Sequence, residues 1–146
     1  LSVIRKASLQ VNTDLNALVQ VLTWFDQFHH PPLSEQVWLQ CQLILAEGFT
    51  NAVRHAHRNL PPDTIIEIES ALFFQYLEIK IWDYGQPFDL AAFVNSLPPE
   101  IDQNAEGGRG LHLMRKMADE LSYIRTGHDR NCLLLVKRYK MAEKSC

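Results

Sequence analysis

Apolar residues follow two different rhythms along the chain. In "VLTWF" and in "VWLQCQLILAEGF" they recur every three or four positions, the spacing of one face of a helix. In "TIIEIESAL" and "YLEIKIWD" they alternate with polar residues, as in a strand with one buried face. Read in order, these rhythms predict a strand over "LSVIRKASLQV" and then a helix over "TDLNALVQVLTWFDQFH". Thr13 stands as its N-cap, and Leu15, Leu18, Val19 and Leu22 share its inner face. Pro31 and Pro32 end that helix. A longer helix begins after Ser34, which can cap it, and runs to about His57. Leu33 and Trp38 stand at the spacing of a hydrophobic staple.

Beyond the turn "NLPPD", the two alternating runs predict an antiparallel hairpin. Residues 84 to 108 read as a loop with a short helix near Leu90–Ser96. "GLHLMRKMAD" reads as a third helix. "ELSYIRT" and "CLLLVKRY" read as two more strands that turn at "GHDRN". Helices and strands group instead of alternating strictly. The fold class is therefore α+β: a two-layer sandwich with one mixed, mostly antiparallel sheet and helices on one face.

Composition narrows the function. At 146 residues the expectation is one domain spanning 1–146 with a single substantial core. A net charge of −3 and no run of Lys or Arg argue against nucleic acid as a partner. No apolar run approaches the ~18 residues of a membrane span, so no membrane is expected. "LSVIRKASLQ" lacks the apolar stretch and cleavage site of a signal peptide. Three scattered cysteines, Cys41, Cys132 and Cys146, make a disulfide framework improbable and point to a reduced, cytoplasmic protein.

Candidate chemistry is concentrated in three segments. On the second helix, placing residues about 100° apart puts Trp38, Cys41, Leu45, Phe49, Ala52 and Ala56 on a core stripe. Glu47, Asn51, Arg54 and His55 then fall on the opposite side. A solvated face is the plain reading. Against it stand a mid-helix Asn, which has poor helix propensity, and Gly48, which costs about 1 kcal/mol relative to Ala. An Asn carbonyl oxygen is a hard ligand suited to Mg²⁺. A Glu one turn away suits proton abstraction from a hydroxyl.

In the second segment, "IKIWDYGQPFD", Asp83 shares the parity of Leu77, Ile79 and Ile81 and so points inward at the strand end. It is either a turn-initiating Asp or an acceptor for a ligand donor such as the adenine amine. Gly85 would let that ligand approach the backbone. In the third, "EGGRGLHLM", Gly107, Gly108 and Gly110 lie at a helix start, where free N–H groups favour an anion. No Walker A sequence occurs.

Together and in this order, Glu-x-x-x-Asn at 47 and 51, Asp-x-Gly at 83 and 85, and Gly-Gly-x-Gly-Leu at 107 to 111 resemble the N, G1 and G2 boxes of the GHKL ATPase superfamily. Within it, "EGFTNAVRHAH", "DYGQPFD" and "EGGRGLHLMRKMADELSYIRTG" are similar to the anti-sigma-factor serine/threonine kinases. The resemblance covers roughly residues 10 to 139. It implies the Bergerat ATP-binding sandwich and binding of ATP with Mg²⁺. It also implies transfer of the γ-phosphoryl group to a serine of an anti-sigma-factor antagonist, binding of a sigma factor, and a homodimer.

By the same resemblance, Glu47 would be the general base, Asn51 would hold Mg²⁺, and Asp83 with Gly85 would read adenine. Gly107, Gly108, Arg109, Gly110 and Leu111 would close over the phosphates with Arg54 and His55 nearby. Phe88 to Glu106 would form the lid. Asn131 stands where many relatives carry Thr beside the adenine site. His112 is read as a packing or lid contact, and His55 with His57 as a poor metal pair. Two alternatives stay open: a histidine-kinase catalytic domain, and a non-catalytic module that sequesters a regulator. Glu47 at the head of the N box and a compact lid favour the serine kinase.

Overall fold

The structure is a computed structural model that describes residues 2–31, 33–87 and 108–139, without the side chains of 108 and 109. Five strands form one sheet: β1 (Val3–Asn12), β2 (Ile65–Phe73), β3 (Tyr76–Asp83), β4 (Glu120–Thr126) and β5 (Arg130–Arg138). Their order is β1-β2-β3-β5-β4, and every pairing is antiparallel. The expected α+β sandwich is present, with a sheet more uniform than a mixed one. The alternation that marked β2 and β3 decides their faces. Ile66, Ile68, Ile79 and Ile81 are fully buried on one side, while Glu67, Glu69, Glu78 and Lys80 lie on the other.

Among the described residues, three helices cover the buried side: α1 (Leu18–Phe25), α2 (Glu35–Asn51) and α3 (Gly108–Met117). α2 lies over β3 and β5, α1 over β1, and α3 over β4 while also packing on α2. α2 begins as expected, with Ser34 Oγ accepting from Val37 N at 3.2 Å. Trp38, Cys41, Ile44, Leu45 and Phe49 carry its inner face into the same core as the sheet isoleucines. Burying a side chain of this size stabilises the fold by about 1.5–3 kcal/mol.

The first helix differs from its expected form. Asp14, not Thr13, caps it, accepting from Asn16 N at 2.9 Å, and Leu15–Ala17 form a 3-10 turn. That tighter turn changes the phase of the α-helical residues after it. Val21, Phe25 and Phe28 point into the core, whereas Leu15 is exposed and Val19 is 74% exposed. Phe25 then stacks on Trp38 with centroids 4.9 Å apart, and His29 stacks on Trp38 at 4.7 Å.

Cys41 and Cys132 are free and buried, and burial pushes their thiols up to about 12 and about 11. They are inert packing groups at neutral pH. Among the described residues, no helix is long and apolar enough to cross a membrane. The expected helix near Leu90–Ser96, Gly107, the Phe88 to Glu106 lid and Cys146 lie outside the described residues.

Candidate functional site

The end of α2 departs from a regular helix. After Asn51 the backbone opens into a π-helical turn over Ala52–Ala56, closed by His57 N donating to Ala52 O at 2.9 Å. A single π turn adds a residue to the ring and rotates everything beyond it. The shared face expected for Glu47, Asn51, Arg54 and His55 therefore holds only through Asn51. Glu47 and Asn51 are half-buried, and Arg54 and His55 are exposed beyond the change of phase. Ala56, expected in the core, is half-buried.

The π turn brings α2 against the end of β3. A Cβ on Gly85 would lie 2.6 Å from Ala56 O, so only glycine fits there. His57, 3% exposed, accepts from Tyr84 N through Nε2 at 2.9 Å. That bond makes Nε2 the unprotonated nitrogen and assigns the proton to Nδ1. Burial lowers the pKa of the imidazole, with the Asp83 charge acting weakly in the other direction.

One turn before Asn51, Glu47 meets the third segment. A Cβ on Gly110, in the first turn of α3, would overlap Glu47 Oε2. α2 thus touches both of the other motif-bearing segments: β3 near Gly85 and α3 at Gly110. Gly48, between the two, faces the sheet, and a Cβ there would stand 2.6 Å from Ile81 Cδ1. Its presence mid-helix is explained by close packing of α2 on β3.

Asp83 is 2% exposed and points inward as expected. Its Oδ1 accepts from Gly85 N at 2.8 Å and from Asn131 Nδ2 at 2.9 Å. The Tyr123 hydroxyl lies 2.8 Å from Oδ2 and 3.0 Å from Oδ1. Asn131, 1% exposed, also donates to Gly85 O at 2.9 Å, and Arg125 donates to the same carbonyl at 2.9 Å. His57, Asp83 and Asn131 are three of the four buried polar residues among those described, and all three lie at this one place. The fourth, Ser70, is satisfied within the sheet by Glu78 O at 3.0 Å. A buried polar cluster of this kind is costly unless its members are paired, and His57 Nδ1 is its one buried side-chain atom without a partner among the described residues.

Of the expected site residues, Glu47 meets Gly110, and Asp83 meets Gly85, which packs on Ala56 in the π turn that follows α2. Gly108 begins α3, and the Arg109 side chain lies outside the described residues. Leu111 is 4% exposed and belongs to the core, so what it offers a ligand is backbone and not a side chain. Tyr123, Arg125 and His57 were not anticipated in the site. The signal was present in the strand register, where Arg125 pairs with Asn131 and Asn131 pairs with Asp83.

The sequence has relatives among known proteins. A sequence model of the histidine kinase-like ATPase domain matches residues 11–137, and the chain belongs to that family. It is 33% identical over 85 residues to a serine-protein kinase RsbW of Bacillus licheniformis, covering 55% of this chain and 53% of the relative. It is 30% identical over 103 residues to the serine-protein kinase RsbW of Staphylococcus epidermidis, covering 66% and 65%. Against the serine-protein kinase RsbW of Bacillus subtilis it is 33% identical over 85 residues, covering 55% and 52%. The matches span about half to two thirds of the length of these curated relatives.

Proposed function

We propose that the chain is an ATP-dependent serine/threonine protein kinase of the anti-sigma-factor type. On this reading it transfers the γ-phosphoryl group of Mg-ATP to a serine or threonine of an anti-sigma-factor antagonist, and as a homodimer it binds a sigma factor. The observation that carries the reading is the seating of the Glu47 carboxylate against Gly110 at the start of α3. A proton acceptor there stands at a helix N-terminus, where backbone N–H groups lack partners within the helix and favour phosphate. The names of the relatives favour a serine acceptor over a histidine one.

The residues present fit the nucleotide. Asp83 is buried and surrounded by donors, and among the described residues its Oδ2 keeps an acceptor position for the 6-amino group of adenine. Gly110 carries no side chain where one would displace Glu47. Asn51, one helical turn beyond Glu47, would hold Mg²⁺ through its side-chain carbonyl. The metal neutralises charge on the phosphates when bound.

Glu47 takes the proton of the incoming hydroxyl as its oxygen bonds to the γ-phosphorus, and the bond to the β–γ bridging oxygen breaks to release ADP. Gly108, Arg109 and Gly110 would close over the phosphates, with Leu111 offering its backbone, while Arg54 and His55 lie beyond the π turn and off the face that carries Glu47 and Asn51. Catalysis of this kind rests on position and charge neutralisation.

The test is Glu47→Gln, with ATP binding and transfer of labelled phosphate to a purified antagonist measured side by side. The variant is expected to bind ATP as the wild type does and to lose transfer by about 10²-fold or more. Transfer at the wild-type rate contradicts the assignment of Glu47.

A further inference from the structure

None of the three motifs contains Tyr123, yet its hydroxyl is the donor closest to Asp83 Oδ2 among the described residues. Asp83 Oδ1 already accepts from Gly85 N and Asn131 Nδ2, which fills its two lone-pair directions. A phenol has a single proton. Its 2.8 Å separation from Oδ2, against 3.0 Å from Oδ1, makes Oδ2 the main acceptor and, among the described residues, leaves that oxygen one further position. Gly85 N, Asn131 Nδ2 and the Tyr123 hydroxyl are all donors to the carboxylate, so a ligand group completing the set must also donate. Burial first, and the Asp83 charge second, push the Tyr123 phenol well above its ordinary pKa, and it remains a donor across the working range.

We propose that Tyr123 is a positioning residue. By holding Asp83 Oδ2 in one direction, it sets selectivity for a purine with an exocyclic amine at C6 over one without it. The inference rests on the ATP reading above and deepens it. Gly85 N and Asn131 both anchor Oδ1. Without the phenol, no other donor among the described residues holds Oδ2, and only the two bonds to Oδ1 resist rotation of the carboxylate about its Cβ–Cγ bond. Tyr123 reaches this position from β4, at the sheet edge beyond β5, because Leu121, Tyr123 and Arg125 share the parity that faces the helices. A tyrosine present only for packing would affect every nucleotide alike. One that aims Oδ2 affects only those that donate to it.

The experiment measures binding of ATP and of purine riboside triphosphate, which lacks the amine, to the wild type and to Tyr123→Phe. Melting temperatures are recorded beside the binding data. The wild type is expected to prefer ATP. The variant is expected to lose ATP affinity by roughly tenfold, the worth of one hydrogen bond to a charged group, and to bind the analogue as before. Equal loss for both nucleotides, or an unchanged ratio, overturns the role of Tyr123 while leaving the ATP site standing. A wild type that binds neither nucleotide, or both equally, overturns the adenine reading itself and this inference with it.

Should Tyr123→Phe not fold, the wild type with tyrosine ¹³C-labelled at Cζ gives the answer, with the neighbouring Tyr84 assigned by Tyr84→Phe. A tyrosine signal other than Tyr84 is expected to move with ATP and stay in place with the analogue. Identical responses to the two nucleotides overturn the proposal.

Discussion

Glu47 Oε2 occupies the space into which a β-carbon on Gly110 would project. The atom in the way is the free end of a flexible side chain, so Gly110→Ala displaces the carboxylate without disturbing the backbone. Ala is also favoured over Gly inside a helix by about 1 kcal/mol. The variant is expected to be as stable as the wild type or up to about 1 kcal/mol more so. Phosphate transfer is expected to fall by roughly 10²-fold, since small displacements of a reacting group cost that much. Thermal melting and transfer assays on one preparation check both halves.

The same substitution at Gly48 has the opposite effect on stability. There the new methyl would meet Ile81 Cδ1 at 2.6 Å, with Leu133 Cδ2 at 3.4 Å and Leu135 Cδ1 at 3.5 Å behind it. Ile81 is 1% exposed and has no room to retreat. Overpacking of this kind costs about 1–3 kcal/mol and outweighs the helix gain. Gly48→Ala is expected to lower stability by about 1 kcal/mol, read by denaturant titration.

Asn131 supplies two hydrogen bonds from one amide nitrogen, to Asp83 Oδ1 and to Gly85 O. Asn131→Ala removes both and is expected to cost about 1–3 kcal/mol of stability together with nucleotide affinity. Asn131→Asp keeps the shape but replaces a donor with an acceptor beside the Asp83 carboxylate. It is expected to cost more than Asn131→Ala, because a buried like-charge pair is worse than a missing bond. Equilibrium unfolding of both variants decides the order.

His57 makes stability depend on pH. Its folded pKa lies below the ordinary histidine value of about 6.5, so the folded state binds fewer protons than the unfolded chain in the window between the two. Its contribution is complete above about pH 6.5 and is lost as pH falls toward and through the lowered value. Protonation of Nε2 also removes the bond from Tyr84 N. His57→Gln keeps an acceptor for that N–H but does not titrate. The fall in melting temperature between about pH 7.5 and about pH 5 is expected to be larger for the wild type than for the variant.

Much of this local geometry was legible before the fold. Helical spacing put Glu47 and Asn51 together. Strand parity turned Asp83 inward beside Ile79 and Ile81. Ser34 announced the start of α2. These signals are local, set by side-chain period and capping chemistry. The features that escaped depend on contacts between distant segments. The π turn at Ala52–Ala56 brings Ala56 O against Gly85 and His57 to Tyr84 N, neighbours that no local pattern reveals. The inner face of α1 differs from its helical spacing because the 3-10 turn at Leu15–Ala17 changes the phase. Gly48 looks like a tolerated weakness in the sequence, and its reason lies across the interface in Ile81. Tyr123 reaches the site through sheet order, two strands away from Asp83.

The central claim is that the segments around Glu47, Asp83 and Gly110 build one Mg-ATP site, and calorimetric titration of ATP with Mg²⁺ tests it most directly. The wild type is expected to bind one nucleotide per chain, and Asp83→Ala, which removes the proposed acceptor for the adenine amine, to lose affinity by at least roughly tenfold. Absence of binding to the wild type at millimolar nucleotide, or equal affinity in the two proteins, contradicts the account.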